Sequence, residues 1–459
     1  MHRQSQNERR LPVRSAGAAG SPDPPVVAVL HGPHAAVSIP QIVRAAAGLC
    51  RVRLFFSAAV AAEAEELVAF GRRVAETAVY EPGNGGPRFR DADVVDVAGV
   101  VTYRDGCVED AEALAGELGL PGSATGPRRR WHKDEQRTLL REAGLSRNES
   151  RAVASLDDLV TALRELGAPG FLKPLRGTGS HGVVRIADAR DAIAAATRAW
   201  AGAAAGPNLY ETEIAGAAHP MHRWLGDYVS VETASCGSRR WHFAVTDKLP
   251  SPDRVREAGD VAPTTLDEEW AAAARDATGR ALDALDVRDR VTHTELKLTT
   301  SGPEVLEVNG RLGGEVEMAQ TRIGTCRPAR IALEVALRRV PDASARPREL
   351  CVLALFYPAP CGTFLVARAP TTAALRELEG LIGIDALRTN GAVVDTRGGT
   401  ASSLATVWLE AVTIDELRVR LASALRTLSQ AFELDPPEEN AWVDMMLECL
   451  RIPSASAAS

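Results

Sequence analysis

The chain has 459 residues, of which 45% are hydrophobic and 25% are charged, and its formal net charge is −7. This composition is typical of a soluble globular protein with about three domains. The negative charge excludes a general attraction to nucleic acid or to an anionic membrane, so neither is an expected partner. The seven cysteines are odd in number and have no C-x-x-C spacing. They argue against a disulfide framework or a zinc site and fit a reducing cytoplasm.

The first region alternates apolar runs with amphipathic segments. The runs PVVAVL, RVRLFFS and GVVTY are each followed by polar or helix-like sequence, which predicts an open parallel α/β domain over residues 26–127. Ligands of such sheets bind at the carboxyl ends of the strands. Asp105 follows GVVTY and is therefore a candidate ligand contact, with an ordinary turn aspartate as an equal alternative. Residues 1–25 and 453–459 have the composition of disordered tails.

A glycine-rich segment stands out in the second region, residues 128–340. The sequence RGTGSHGV lies between two apolar runs, FLKPL and VVRI, and is predicted to be a flexible loop joining two strands. Its backbone N–H groups can cover phosphates because glycine permits close approach. An ordinary flexible turn is the alternative for this loop taken alone.

The most informative stretch is 291–315, VTHTELKLTTSGPEVLEVNGRLGGE. Alternation on both sides of the turn at 300–303 predicts a β-hairpin. The polar face would carry His293, Glu295 and Lys297 on one strand and Glu307, Asn309 and Arg311 on the other. The opposite face would carry Leu296, Leu298, Leu306 and Val308. Two carboxylates and an amide oxygen favour Mg²⁺ or Mn²⁺ over zinc, so Glu295, Glu307 and Asn309 are the predicted metal ligands.

The scarcity of lysine in the chain indicates further candidate site residues. Of the 53 basic residues only four are lysines, namely Lys133, Lys173, Lys248 and Lys297. A lysine supplies a compact charge at a phosphate that arginine does not reproduce. Each lysine is therefore a site candidate, although chance also produces such a distribution. The last region, 341–452, predicts a small α+β domain with helices near 371–381 and 414–432.

Taken together, these motifs resemble the ATP-grasp superfamily, and in particular its bacterial L-amino-acid ligase (dipeptide synthetase) branch. The matching segments occur in the family's order: K-x-x-x-R at 133–137, LKPLRGTGSHGV, ETEIAG, HTELK and EVNGRLGG. The resemblance implies an α/β and α+β protein with the ATP-grasp fold, an N-terminal open parallel α/β domain and a small C-terminal α+β domain.

The resemblance also implies residue roles. The residues it assigns to ATP are Lys133, Lys173, Gly177, Thr178, Gly179, Ser180, Glu211 and Ile214. The metal ligands would be Glu295, Glu307 and Asn309, holding Mg²⁺ or Mn²⁺. The groups expected to act on the transferred phosphoryl group and the intermediate are Arg311, Lys297, Gly313 and Gly314. Substrate contacts are expected from His293, Asp105 and Glu257.

The activity implied is that of an ATP-dependent carboxylate–amine ligase. It would form an amide, dipeptide-like bond through an acyl phosphate, with release of ADP and phosphate. The expected partners are a small-molecule carboxylate and an amine, with amino acids as the substrate class; a homodimer is left open. Two departures fall near the substrates: Asp260 stands where the branch usually has histidine, and Asp105 where it often has glutamate.

Two alternatives remain. A biotin carboxylase-like protein would carry Q-V-E-H after Arg311, whereas this chain has Leu-Gly-Gly-Glu at 312–315. A non-catalytic nucleotide-binding regulator would normally have lost a metal ligand or the arginine, and this chain keeps Glu295, Glu307, Asn309 and Arg311.

Overall fold

The computed structural model describes residues 23–83, 86–122, 130–175, 177, 179–200, 207–341 and 348–451. The predicted tail at 453–459, all but three residues of the tail at 1–25, and Thr178 lie outside this set. The predicted domain boundaries stay predictions. No helix among the described residues is both long and apolar enough to span a lipid bilayer.

The N-terminal part is a parallel α/β sheet, as predicted. Its elements are β1 (Val26–Leu30), α1 (Ile39–Ala46), β2 (Arg51–Ser57), α2 (Ala58–Glu63), α3 (Glu65–Val74), β3 (Glu76–Tyr80), α4 (Asp91–Val94), β4 (Val97–Thr102) and α5 (Val108–Glu117). The strand order is β3-β2-β1-β4 and the pairs are parallel. Strand β1 is buried along its whole length, as expected of a strand covered on both faces. The sheet directs the carboxyl end of β4, and Asp105 beyond it, towards the second region.

A small antiparallel sheet follows. The elements are α6 (Lys133–Glu142), β5 (Ser150–Val153), α7 (Leu156–Leu166), β6 (Gly170–Pro174), β7 (Val184–Ile186), α8 (Ala192–Trp200) and β8 (Asn208–Thr212), with strand order β5-β8-β6-β7. The hydroxyl of Ser155 caps α7 by accepting from the N–H of Asp158 at 3.2 Å. The glycine-rich segment joins β6 to β7, as predicted.

The largest sheet has eight strands and carries the hairpin at one edge. Its first part comprises β9 (Tyr228–Cys236), β10 (Arg239–Lys248), β11 (Gly259–Ala262), α9 (Glu268–Ala284), β12 (Val291–Thr299), β13 (Gly302–Asn309), α10 (Val316–Ile323) and α11 (Pro328–Ala336). Helix α9 packs on one face, against Val229, Val231, Leu296 and Leu298. That packing buries the apolar row of the hairpin and leaves the polar row on the opposite face.

The C-terminal part completes the large sheet. It comprises β14 (Cys351–Tyr357), β15 (Thr363–Arg368), α12 (Thr372–Leu375), β16 (Leu381–Leu387), β17 (Val393–Asp395), β18 (Ala405–Ala411), α13 (Ile414–Ala431), β19 (Glu433–Asp435) and α14 (Ala441–Cys449). The large sheet runs β13-β12-β9-β10-β11-β14-β18-β16, and a three-stranded sheet runs β17-β15-β19. The helix predicted at 371–381 is wrong in length, because Gly380 takes a positive φ of 76° and the chain turns there into β16.

Candidate active site

A cavity of about 750 Å³ lies between the small antiparallel sheet and the β12–β13 hairpin, and we refer to it as the central cavity. Its walls include Lys173 from β6, Glu211 from β8, Glu295 from β12 and Glu307 from β13. Residues that the sequence places far apart thus converge on one space. A cavity of this size suits a nucleotide-sized ligand.

The acidic residues of the hairpin lie on one face, as the alternation predicts. Glu295 lies directly opposite Glu307, and His293 lies opposite Asn309. Glu295, Glu307 and Asn309 all line the central cavity. Two carboxylates and an amide oxygen on one wall are the ligand types that Mg²⁺ prefers.

One detail of the predicted hairpin is wrong. The register shifts beside Glu295, so that Leu296 pairs with Val305 and Leu306 is left as an extra residue in β13. This β-bulge rotates Leu306 away from the buried face, where Val305 takes its place with Val308. Leu306 lines the central cavity instead, which gives the cavity an apolar contact beside Glu307.

Both acidic side chains of the hairpin are held in the ionised form. Burial opposes ionisation of Glu295, but His293, Lys248 and Lys133 outweigh it and lower its pKa to about 2. For Glu307, burial is likewise outweighed by Lys133 and Lys173, so its pKa is also lowered. No group of three or more His, Cys, Asp or Glu side chains arranged for a metal occurs in the described ranges. The two carboxylates and Asn309 nevertheless fit a hard divalent cation.

Helix α6 supplies cations to the same wall. Lys133 opens the helix and forms an ion pair with Glu307. Arg137, one turn later, donates from Nε to Glu211 at 2.8 Å and from its guanidinium to the carbonyl of Leu306. The K-x-x-x-R spacing thus places both cations on one helix face, as residues four apart require.

Lys173 and Glu211 form a buried pair in the floor of the cavity. Lys173 Nζ donates to Glu211 Oε1 at 2.5 Å, and the two residues are 7% and 6% exposed. Burial and neighbouring Arg137 lower the pKa of Lys173 to about 8. Burial opposes ionisation of Glu211, but Arg137 and Lys173 bring its pKa to about 2. Both oxygens of Glu211 are engaged, so its geometry favours the positioning of Lys173. The predicted contact of Glu211 with ATP stays a prediction.

The glycine-rich loop covers the cavity. Gly177, Gly179 and Ser180 line it, and Ser180 Oγ donates to the carbonyl of Val255 at 2.6 Å. The C-terminal segment holds the loop from the other side, because the N–H of Thr400 donates to the carbonyl of Gly179 at 2.9 Å. The loop is thus fixed by two segments that lie far from it in sequence.

The connection after β8 forms another wall. Ala215, Gly216, Ala217 and Ala218 line the cavity, whereas Ile214 does not. A Cβ on Gly216 would lie 1.8 Å from Asp227 Oδ2, so a side chain there would displace Asp227. Asp227 accepts from Lys297 Nζ at 2.7 Å. This pair engages Lys297 at the cavity edge, and its catalytic role stays a prediction.

A second cavity, of about 1140 Å³, opens between the N-terminal sheet and the hairpin. It shares Lys133, Gly177, Glu307 and Asn309 with the central cavity. Asp105 lines this second cavity and forms an ion pair with Arg311. The two cavities therefore meet at the predicted metal ligands, which gives a second molecule a route to that point.

Beneath the hairpin lies a residue that the sequence analysis missed. Glu232 of β9 is fully buried and forms an ion pair with His293, which lies 3.4 Å from Glu295 through its other ring nitrogen. Burial opposes protonation of His293, but the two carboxylates raise its pKa to about 9. The sequence signal for this residue is that Glu232 is the one charged residue within the strand YVSVETA. His293 lies below the cavity wall, so its predicted substrate contact stays a prediction.

The two glycines that follow Leu312, Gly313 and Gly314, lie in different environments. The N–H of Gly313 donates to Glu232 Oε2 at 3.2 Å, and a Cβ there would lie 2.6 Å from His293 Nδ1. Gly314 is exposed and its Cβ position is open. Gly313 therefore positions Glu232 in this structure, and the predicted donation by either glycine to an intermediate stays a prediction.

No family model matches the chain. An alanine–anticapsin ligase from Bacillus subtilis is 27% identical over 195 residues, which cover 40% of this chain and 41% of the relative. The chain thus spans less than half the length of this curated relative.

Two solved structures resemble nearly the whole chain. An L-amino acid ligase from Bacillus licheniformis has a TM-score of 0.65 and 18% identity, covering 89% of this chain and 98% of the other. A biotin carboxylase from Campylobacter jejuni has a TM-score of 0.58 and 12% identity, covering 93% and 95%. At such identities the likeness shows a shared fold.

Proposed function

We propose that this chain, which has the ATP-grasp fold of these enzymes, is an ATP-dependent ligase joining a carboxylate to an amine. The observation that carries the proposal is the wall formed by Glu295, Glu307 and Asn309, which the glycine loop covers and where two cavities meet. The likeness to proteins named as an alanine–anticapsin ligase and an L-amino acid ligase supports the same class. Amino acids are the proposed substrates.

The activation step needs charge neutralisation on a phosphoryl group. Glu295, Glu307 and Asn309 would hold Mg²⁺ or Mn²⁺, which neutralises phosphate charge when bound. Lys133 stands beside Glu307 and can pair with the phosphates, while Lys173 is positioned by Glu211. The γ-phosphoryl group of ATP moves to a carboxylate oxygen of the substrate, and ADP leaves. The product is a mixed anhydride, which is a far better acyl donor than a carboxylate.

The second step forms the amide. The amine attacks the acyl carbon, a C–N bond forms, and phosphate departs with the former carboxylate oxygen. Arg311 forms an ion pair with Asp105, which lines the second cavity, and it is the cation proposed to stabilise the intermediate. The glycine loop excludes water, because an exposed acyl phosphate would hydrolyse.

The biotin carboxylase alternative shares the fold and the metal face. It would require bicarbonate and biotin, and the sequence Leu-Gly-Gly-Glu after Arg311 lacks that machinery. A non-catalytic regulator would bind nucleotide without releasing ADP.

One assay separates the three. The protein is incubated with ATP, Mg²⁺, pooled amino acids and hydroxylamine as the amine. A ligase yields hydroxamate and ADP in equal amounts. Release of ADP that requires bicarbonate would support the carboxylase, and nucleotide binding without ADP would support the regulator.

A further inference from the structure

The polar face of the large sheet continues beyond the metal wall. Glu295 lies opposite Ser230 of β9, and Ser230 lies opposite Thr246 of β10. Ser230 is fully buried and Thr246 is 2% exposed, yet neither hydroxyl has a hydrogen-bond partner within the part of the chain that the structure describes. Buried hydroxyls without partners are costly, so the sheet keeps this polar strip beside Glu295 at a cost to its stability.

The next strands add charge to this face. Lys248, two residues beyond Thr246, is 2% exposed and lies opposite Asp260 of β11. Its Nζ is 2.7 Å from Asp260 and 3.1 Å from Glu257, which lines the central cavity. One buried cation is thus shared by two carboxylates.

A third carboxylate lies above this pair. Glu315 immediately precedes α10, which packs through Ala319 and Ile323 on Ala262 and Trp408 of the same sheet face. Burial, together with the nearby charges of Asp260, Asp385 and Glu257, raises the pKa of Glu315 to about 8. Asp385 itself accepts from the indole N–H of Trp408 at 2.6 Å. The group therefore contains more carboxyls than cations.

We propose that the carboxylate substrate carries a cationic side group, an ammonium or guanidinium, which Glu315 receives beside the Lys248–Asp260 pair. The inference rests on the proposed ligase function. Glu295 and Lys248 lie two strands and two residues apart on this sheet face, so their Cα atoms are separated by about 12 Å. The Glu295 and Lys248 side chains extend into this space, and a basic amino acid would lie there with its carboxylate at the metal wall and its cation near Glu315.

Charge decides between substrate classes here. A cationic group balances the third carboxyl and lets it ionise. A neutral side chain leaves Glu315 protonated and forms no ion pair with it, and an acidic side chain is repelled by the neighbouring carboxylates. Ser230 and Thr246 lie on the sheet face between the two ends. We assign the cationic group to the carboxylate substrate, and not to the amine, because these acidic residues lie on the same sheet face as Glu295.

The test compares acids of matched length in the hydroxamate assay. The probes are L-lysine and L-arginine against their neutral counterparts L-norleucine and L-citrulline, and against L-2-aminoadipate. The cationic acids are expected to exceed the neutral ones at least ~10-fold in kcat/KM, the scale of one charge-dependent contact. Equal or greater activity with the neutral acids would overturn the inference while leaving the ligase intact.

Two variants test whether Glu315 produces the preference for cationic acids. Glu315→Gln is expected to reduce the cation preference about tenfold. Glu317→Gln is the control, since Glu317 is two residues away in α10 but accepts from the N–H of Ala329 at 2.6 Å. If both variants keep the preference, Glu315 is not the receiving group and the inference fails.

Binding without ATP distinguishes this inference from the ligase proposal. A ligand that binds only the folded state raises the melting temperature. L-Arginine should raise it more than L-citrulline in the wild type and equally in Glu315→Gln. That result with no hydroxamate from any acid would support the cation site and refute the ligase, whereas equal shifts in the wild type would refute the cation site.

Discussion

Glu295 and Glu307 lie directly opposite each other across the β12–β13 hairpin, and a separate cation lies beside each of them. His293 lies 3.4 Å from Glu295, and Lys133 forms an ion pair with Glu307. The two carboxylates can therefore both stay ionised at close range. This is the state that a divalent cation requires of its ligands.

Glu307→Gln should reduce amide formation and ADP release to background, because the amide is a poorer ligand for Mg²⁺ than a carboxylate. Glu304→Gln is the matched control, since Glu304 lies on the same strand but accepts from the N–H of Arg147 at 2.5 Å, away from the cavity. Phosphate release and a thermal melt are measured for both. Near-normal release by folded Glu307→Gln would remove this residue from the metal site.

Lys173→Arg should weaken ATP binding by about tenfold although it keeps the charge. The lysine is confined between Glu211 and the cavity, and the wider guanidinium cannot occupy the same position. Equilibrium nucleotide binding measures the effect. Arg185→Lys, a cation exchange in neighbouring strand β7, should leave affinity unchanged; an unchanged affinity in Lys173→Arg as well would contradict the assigned phosphate contact.

Gly399→Ala should uncouple ATP consumption from amide formation. Gly399 has a φ of 68°, and a Cβ there would lie 2.0 Å from the carbonyl of Gly179, so the glycine loop would be pushed from its closed position. Gly398→Ala is the control, because its Cβ would lie 3.6 Å from Ser402, which is an ordinary van der Waals distance. The ratio of ADP to hydroxamate is measured. We expect it to rise several-fold in Gly399→Ala alone, and equal ratios would show that this contact does not shield the intermediate.

Binding of a cationic acid at pH 7 should release close to one proton. With a pKa of about 8, Glu315 is mostly neutral in the free protein, and a bound cation makes it ionise. The groups facing it are Asp260, Asp385, Glu257 and Lys248. Affinity should therefore increase as the pH rises from 6 to 8.

Calorimetric titration with L-arginine in buffers of different ionisation enthalpy measures the number of protons released on binding. Glu315→Gln should abolish the release. The variant should also melt no lower than the wild type at pH 8, because a raised carboxyl pKa means that ionisation destabilises the fold. Proton release that persists in Glu315→Gln would assign it to another group.

Local sequence patterns predicted much of this site. Alternation placed Glu295 and Glu307 on one face of the hairpin, and the flanking apolar runs placed the glycine-rich loop between β6 and β7. The ATP-grasp fold is confirmed by the structural likeness. These features depend on the alternation of side chains along a strand and on the backbone freedom of glycine. Both can be recognised in short sequence segments.

Other features depend on distant pairing and were not predictable. The bulge that turns Leu306 into the cavity arises from the register with β12. Glu232 meets His293 only because β9 lies beside β12 in the sheet. The continuation of that sheet through β14 into the C-terminal part likewise requires long-range pairing, and it is this continuation that brings Thr400 to the glycine loop.

The transfer of oxygen from acid to phosphate tests the central claim most directly. An amino acid that supports hydroxamate formation is labelled with ¹⁸O in its carboxylate and incubated with ATP, Mg²⁺ and an amine. Mass spectrometry of the products follows the label. Activation through an acyl phosphate predicts one ¹⁸O atom in each inorganic phosphate released, with ADP unlabelled. Label in AMP, or unlabelled phosphate alongside amide product, would contradict the proposed mechanism.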